Sequence, residues 1–240
     1  MNIHDTYIKA AGAYQSRTGH APGPLRAVLF DMDGVLYDSM PNHAKAWKMM
    51  CDEAGIDADE DEFFAYEGRT GASTINLLYR RQYGHGADEE TCRRLYAIKS
   101  RNFRAMGEPV IMEGAQQAVG RVTAAGLEAV LVTGSGQASI LTRDYPGAFG
   151  LRVTARDVVH GKPHPEPFLK GLDKAGVPAW EALAVDNAPL GVESASAAGI
   201  FTIGVRTGPL GPGALVQAGA DIEIGSMTEL SQLFNRLFGD

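Results

Sequence analysis

Short runs that are apolar at nearly every position alternate along this chain with longer stretches in which apolar residues recur every three or four places. Arg26-Ala27-Val28-Leu29-Phe30 is the first such run, and others follow at Glu128–Val132, Ala182–Val185 and Phe201–Val205, with a weaker one at Asp221–Ile224. Continuous apolar runs suit strands buried on both faces of a parallel sheet. Helical spacing falls between them, over Ala115–Ala125, Pro165–Ala175, Leu190–Ala198 and Met227–Leu237. This alternation predicts an α/β fold with a doubly wound, Rossmann-like parallel sheet.

One segment breaks the rhythm. Between Pro41 and Gly107 no run reads as a strand, and the spacing predicts four helices, over about Asn42–Ala54, Glu60–Tyr66, Ala72–Tyr83 and Asp88–Met106. The expected organisation is a helical cap domain at 41–107 inserted into an α/β core domain built from 25–40 and 108–240. Its tethers would lie near 38–41 and 107–112, and residues 1–24 read as an N-terminal extension ending in Ala21-Pro22-Gly23-Pro24.

Charge narrows the choice of partner. A net charge of −7 and a pI near 5.4 argue against nucleic acid or an anionic membrane as the main partner. No apolar run reaches the roughly 18 to 20 residues that span a bilayer, and the N-terminus lacks an apolar signal core. A cytoplasmic protein is expected, a monomer or weak oligomer. Cys51 and Cys92 fall inside helical stretches without metal-ligand spacing and read as reduced, buried thiols.

Four groups of polar residues stand at predicted strand ends. In Phe30-Asp31-Met32-Asp33-Gly34 two carboxylates at i and i+2 sit at the edge where open α/β sheets bind ligands. Such a pair can hold a hard divalent cation and offer one member as nucleophile; the plainer alternative is an acidic turn. Thr133-Gly134-Ser135-Gly136 follows the second run, as a phosphate cradle or simply a capped strand-to-helix connection. Lys162, in Gly161-Lys162-Pro163-His164-Pro165, can neutralise a phosphoryl oxygen or remain a solvated surface charge. Asp186 and Asn187 can complete a metal shell, or Asn187 can cap the helix that follows.

Taken in order, DMDGVLYDS, VTGSG, GKPHPEP and VDNAPLG resemble the four motifs of the haloacid dehalogenase-like hydrolase superfamily, over about residues 26–230. The helical insertion after the first motif resembles the β-phosphoglucomutase-like branch. The resemblance implies Asp31 as the phosphorylated nucleophile and Asp33 as general acid and base. It implies Thr133, Gly134, Ser135 and Lys162 around the phosphoryl group. Mg²⁺ would be held by Asp31, the backbone carbonyl of Asp33, Asp186 and Asn187. His43 matches a histidine near the hinge that orients Asp33.

The loop Glu67-Gly68-Arg69-Thr70-Gly71-Ala72-Ser73 is similar to that of a bacterial branch containing inorganic pyrophosphatases. That likeness implies Glu67 near the metal and Tyr96 and Lys99 facing substrate, with Arg69, Lys99 and Arg101 neutralising a leaving phosphate. Phosphosugar mutases carry an arginine where this chain has Gly71. The expectation is a Mg²⁺-dependent phosphohydrolase acting on a small phosphorylated substrate, pyrophosphate first. The alternatives are a phosphosugar mutase or sugar-phosphate phosphatase, and a non-catalytic phosphate-binding protein on the same fold.

Overall fold

The structure, a computed structural model, describes residues 3–135 and 141–239. Eight strands are present among them: β1 Ala27–Phe30, β2 Tyr37–Asp38, β3 Val110–Ile111, β4 Glu128–Val132, β5 Leu151–Val153, β6 Ala182–Asp186, β7 Phe201–Val205 and β8 Ile222–Ile224. The helices are α1 Ile3–Thr18, α2 Met40–Ala54, α3 Glu62–Ala65, α4 Gly71–Tyr83, α5 Glu89–Ala105, α6 Ala115–Ala124, α7 Leu141–Asp144, α8 Glu166–Ala175, α9 Pro189–Ala197, α10 Ala214–Gln217 and α11 Met227–Phe238.

Six strands form one parallel sheet in the order β5-β4-β1-β6-β7-β8. Strand β1 lies inside it, Leu29 standing beside Val130 on one side and Ala184 on the other. Its side chains alternate between faces, as the period of a strand demands. Val28 and Phe30 join the core under α6 and α11, while Ala27 and Leu29 join the one under α8. Both faces are covered, which is why β1 is apolar at every position rather than at every second one.

The helical block α2–α5 has its own core of Met50, Phe63, Ile75, Leu78 and Leu95 among others. Polar caps mark its turns, with Thr70 accepting from Ser73 N ahead of α4 and Asp88 accepting from Thr91 N ahead of α5. Chain crossings into and out of this block are paired. Tyr37 lies opposite Ile111 and Asp38 opposite Val110, in a two-stranded antiparallel ribbon of β2 and β3. Cys51 and Cys92 are buried and unbridged, as expected.

Residues 1–24, read as an extension, carry a helix that belongs to the core. Tyr7 and Tyr14 of α1 are buried, both rings tilted against Phe201 at centroid distances of 5.2 and 5.6 Å. Tyr14 also donates to the carbonyl of Gly199 at 2.7 Å. Seven positions separate the two tyrosines, two helical turns, so they share one face. Tyr14→Ala is expected to lower the free energy of unfolding by about 3 kcal/mol, read from a urea titration. A change below about 1 kcal/mol would mean that α1 adds little to the core.

Candidate active site

Adjacent strand ends bring three of the four motifs to one point. Asp31 follows β1, Thr133 follows β4 and Asp186 ends β6, all at the carboxyl edge of the sheet. Asp31 stays in register by donating its N–H to the carbonyl of Val185 at 3.0 Å. Lys162 reaches them from the loop before α8. Its Nζ donates to Asp31 Oδ1 at 2.6 Å and to Asp186 Oδ2 at 2.7 Å. All three residues are buried, so the solvated-surface alternative for Lys162 is excluded.

Charge at this edge is unbalanced. Burial pushes the Asp31 carboxyl up to about 7; Lys162 pulls it down, while Asp186 and Asp33 push it further up. Two carboxylates hold the Lys162 ammonium above its ordinary range despite burial. A fourth carboxyl group enters from the helical block. Glu67 Oε1 accepts from Asn187 Nδ2 at 2.8 Å. Its acidity is weakened well beyond the ordinary by burial first and then by Asp31, Asp186 and Asp33. Glycine at position 34 makes this approach possible. Its φ is +77°, and a Cβ there would fall 2.0 Å from Asn187 Nδ2 and 2.8 Å from Glu67 Oε1.

These residues fit a hard divalent cation. Asn187 Oδ1 is buried with no hydrogen-bond partner, and the carboxyl groups of Asp31, Glu67 and Asp186 gather around one buried ammonium, Lys162, while the other, Lys99, acts on Asp33 from beyond His43. Among the described residues no three His, Cys, Asp or Glu side chains form a ligating cluster by themselves. The fit therefore draws on the orphaned amide oxygen of Asn187 as well as carboxylates, a donor set of oxygens only. The alternative of Asn187 as a helix cap is removed, since Ala188 occupies the cap of α9 and no side chain bonds there.

Asp33 sits apart, on the side of the helical block. Its Oδ1 accepts from Ser39 Oγ at 2.6 Å and contacts His43 Nε2 at 3.1 Å. Lys99 Nζ contacts the other ring nitrogen of His43, so the ammonium donates to Nδ1 and the imidazole donates through Nε2 to Asp33. That order requires a neutral imidazole. Burial and Lys99 lower the affinity of His43 for a proton, against the pull of Asp33. Burial also lowers Lys99, to about 8, with Asp33 opposing. The ammonium lies over Trp47 and Phe103 at 5.3 and 4.9 Å from their ring centroids.

A cavity of about 60 Å³ lies over Asp31, lined by Asp33, Glu67, Arg69, Tyr96, Thr133 and Ser135 among others. A second, of about 330 Å³, lies beyond Asp33, His43 and Lys99 and is walled by Met32, Tyr37 and Phe103. Thr133 Oγ1 accepts from Ser135 N at 3.0 Å; Gly136, Gln137 and Ile140 of the same loop lie outside the described residues. His164 shapes its loop, its Nδ1 accepting from Glu166 N and its carbonyl from Ser194 Oγ.

Arg101, expected to help neutralise a leaving phosphate, lines neither cavity. It is exposed at 58% of its side chain and pairs with Glu53, because its position on α5 turns it to the outer face. Lys99 lines both cavities yet is committed to His43. Ser39 was not foreseen as a partner of Asp33; the only hint is its place six residues on, just after β2. Thr70 caps α4, its Oγ1 accepting from Ser73 N.

Comparison with known proteins places this geometry. The profile of the haloacid dehalogenase-like hydrolase family matches residues 25–199. Among curated proteins the chain is 26% identical to fructose-1-phosphate phosphatase of Escherichia coli, covering 75% of this chain and 95% of that one. It is 28% identical to a phosphorylated carbohydrates phosphatase of Thermotoga maritima, over 82% and 92%. A solved structure from Bacteroides vulgatus, provisionally described as a beta-phosphoglucomutase, is 41% identical with a TM-score of 0.94, covering 99% of this chain and 100% of that one.

Proposed function

This chain belongs to the haloacid dehalogenase-like hydrolase family, and from that premise we propose that it is a Mg²⁺-dependent phosphohydrolase whose Asp31 is phosphorylated in each cycle and whose favoured substrate is inorganic pyrophosphate. The observation that carries this reading is Glu67, drawn from the helical block onto Asn187 beside Asp31. A loop carboxylate there crowds the reacting centre and leaves a cavity of about 60 Å³, suited to a small, highly charged substrate.

Asp31, the backbone carbonyl of Asp33, Glu67, Asp186 and Asn187 would hold the cation. When bound, Mg²⁺ offsets the repulsion between the phosphoryl oxygens and Asp31. Lys162 offsets part of the same repulsion and fixes the direction of Asp31 through Oδ1. The hydroxyls of Thr133 and Ser135 and the backbone N–H of Gly134, all lining the cavity, receive the phosphoryl oxygens. A carboxylate oxygen of Asp31 attacks phosphorus as the bond to the leaving oxygen breaks; Asp33, whose carboxyl burial raises but His43 and Ser39 hold down to about 2, takes up a proton as substrate binds and passes it to that oxygen. Water then attacks the aspartyl phosphate, gives its proton to Asp33, and frees phosphate and the Asp31 carboxylate. Ser39 and His43 hold Asp33 in place for both transfers. Arg69 lines the cavity where a second phosphate would lie.

A second reading, a sugar-phosphate phosphatase or phosphosugar mutase, is favoured by the cavity of about 330 Å³ beyond Asp33 and by the phosphosugar relatives. Phosphate release from pyrophosphate and from hexose phosphates, with Mg²⁺ and with chelator, separates the two. Pyrophosphate is expected to turn over fastest and only with the cation; a preference for a hexose phosphate would reverse the substrate choice. No turnover of any phosphate would favour a binding protein. Glu67→Ala is expected to slow pyrophosphate hydrolysis about 10- to 100-fold and to raise the Mg²⁺ concentration at half-maximal rate. An unchanged rate and Mg²⁺ requirement would remove Glu67 from the site.

A further inference from the structure

The loop that carries Glu67 meets the sheet side along a seam with almost no spare room. A Cβ on Gly134 would lie 2.9 Å from the carbonyl oxygen of Gly68 and 3.1 Å from that of Arg69. One on Gly161 would lie 2.6 Å from Thr70 Cγ2. The open space left between Gly68, Thr70, Gly134, Gly161 and Lys162 is about 10 Å³, no more than a single water needs.

Gly161 is not glycine for the sake of its backbone. Its φ lies outside the left-handed region, so alanine would be accepted there if nothing stood opposite. What stands opposite is the methyl of Thr70. Thr70 is itself held, because its hydroxyl accepts from Ser73 N at 3.3 Å as the cap of α4. Glu67 lies three residues earlier in the same loop, its carboxylate on Asn187. The depth to which this loop sinks, and with it the reach of Glu67, is limited where the Thr70 methyl meets Gly161.

We propose that Thr70 and Gly161 form a steric stop that sets the seating depth of the Glu67 loop, making Gly161 a positioning residue for Glu67; its bearing on Mg²⁺ rests on the reading of Glu67 given above. Carbon atoms in ordinary contact stand about 3.5–4.0 Å apart, so a methyl on Gly161 would lift the loop by about 1 Å. Misplacement of that size costs on the order of 10²-fold in rate. Because Lys162 follows Gly161 directly, lost activity alone does not separate a lifted loop from a disturbed lysine. Serine at position 70 does, since it keeps the capping hydroxyl and removes the methyl.

The test compares the full-length chain with Gly161→Ala, Thr70→Ser and the double variant. Backbone hydrogen exchange over residues 66–71, the Mg²⁺ concentration needed for half-maximal thermal stabilisation, and phosphate release are measured on each. Gly161→Ala is expected to exchange faster over 66–71, to need about tenfold more Mg²⁺ and to turn over on the order of 10²-fold more slowly. The double variant is expected to match Thr70→Ser alone in all three. Exchange over 66–71 unchanged by Gly161→Ala, or a double variant as impaired as Gly161→Ala, would overturn the stop. Should the parent chain release no phosphate from any substrate, the proposed function falls while the exchange pattern still decides the stop.

Discussion

Asp31→Asn is expected to reduce phosphate release by at least about 10³-fold, the scale on which removal of a nucleophile acts, while leaving the fold in place. Asparagine has the shape of aspartate but lacks the carboxylate that would bond to phosphorus. The side chain is buried at the end of a central strand, and its N–H bond to the Val185 carbonyl does not depend on the side chain. Lys162 keeps Asp186 as a partner at 2.7 Å. Stability should therefore change far less than rate. Mass spectrometry of acid-quenched protein during turnover is expected to show a phosphoryl adduct on the parent chain and none on the variant. A loss below about tenfold would reject covalent catalysis through this residue.

The second large effect is expected from Lys162→Met, which keeps much of the side-chain volume and removes the charge. In the metal-free protein it leaves Asp31 and Asp186 buried without their shared cation, and breaking a buried pair in this way costs about 3–5 kcal/mol. Turnover is expected to fall about 10²- to 10³-fold, as for loss of one charge-stabilising donor. Mg²⁺ should stabilise the variant more than the parent chain, because the site has become more negative. Thermal midpoints measured with and without Mg²⁺ read this difference. Equal midpoints for the two metal-free proteins would show that the ion pair is energetically neutral.

The sheet was legible because burial on both faces writes itself into composition. Its four inner strands are runs apolar at most positions. The two edge strands, Leu151-Arg152-Val153 and Ile222-Glu223-Ile224, have one neighbour each and a charged residue in the middle, so β8 reads only weakly and β5 not at all. Helix α1 escaped because only Tyr7 and Tyr14 of its residues are buried, too sparse a stripe to read as a core-facing helix. In the site, residues that act through their own strand end could be placed from spacing: Asp31, Thr133, Asp186. Contacts between distant segments could not. Glu67 and Asn187 lie 120 positions apart, and it was the family resemblance, not local pattern, that brought both to one cation. Arg101 shows the converse, since a cation near a predicted site has no reason to enter it when a nearer carboxylate, Glu53, meets it outside.

The pairing of β2 with β3 bears on how ligands come and go. Two free tethers would let the helical block swivel and tilt independently. Paired with each other at Tyr37–Ile111 and Asp38–Val110, they form one strap, and any swing of the block would pivot about it. Admission of substrate, departure of product and withdrawal of Glu67 would then share one angular coordinate, so a molecule wedged against that swing would arrest all three together.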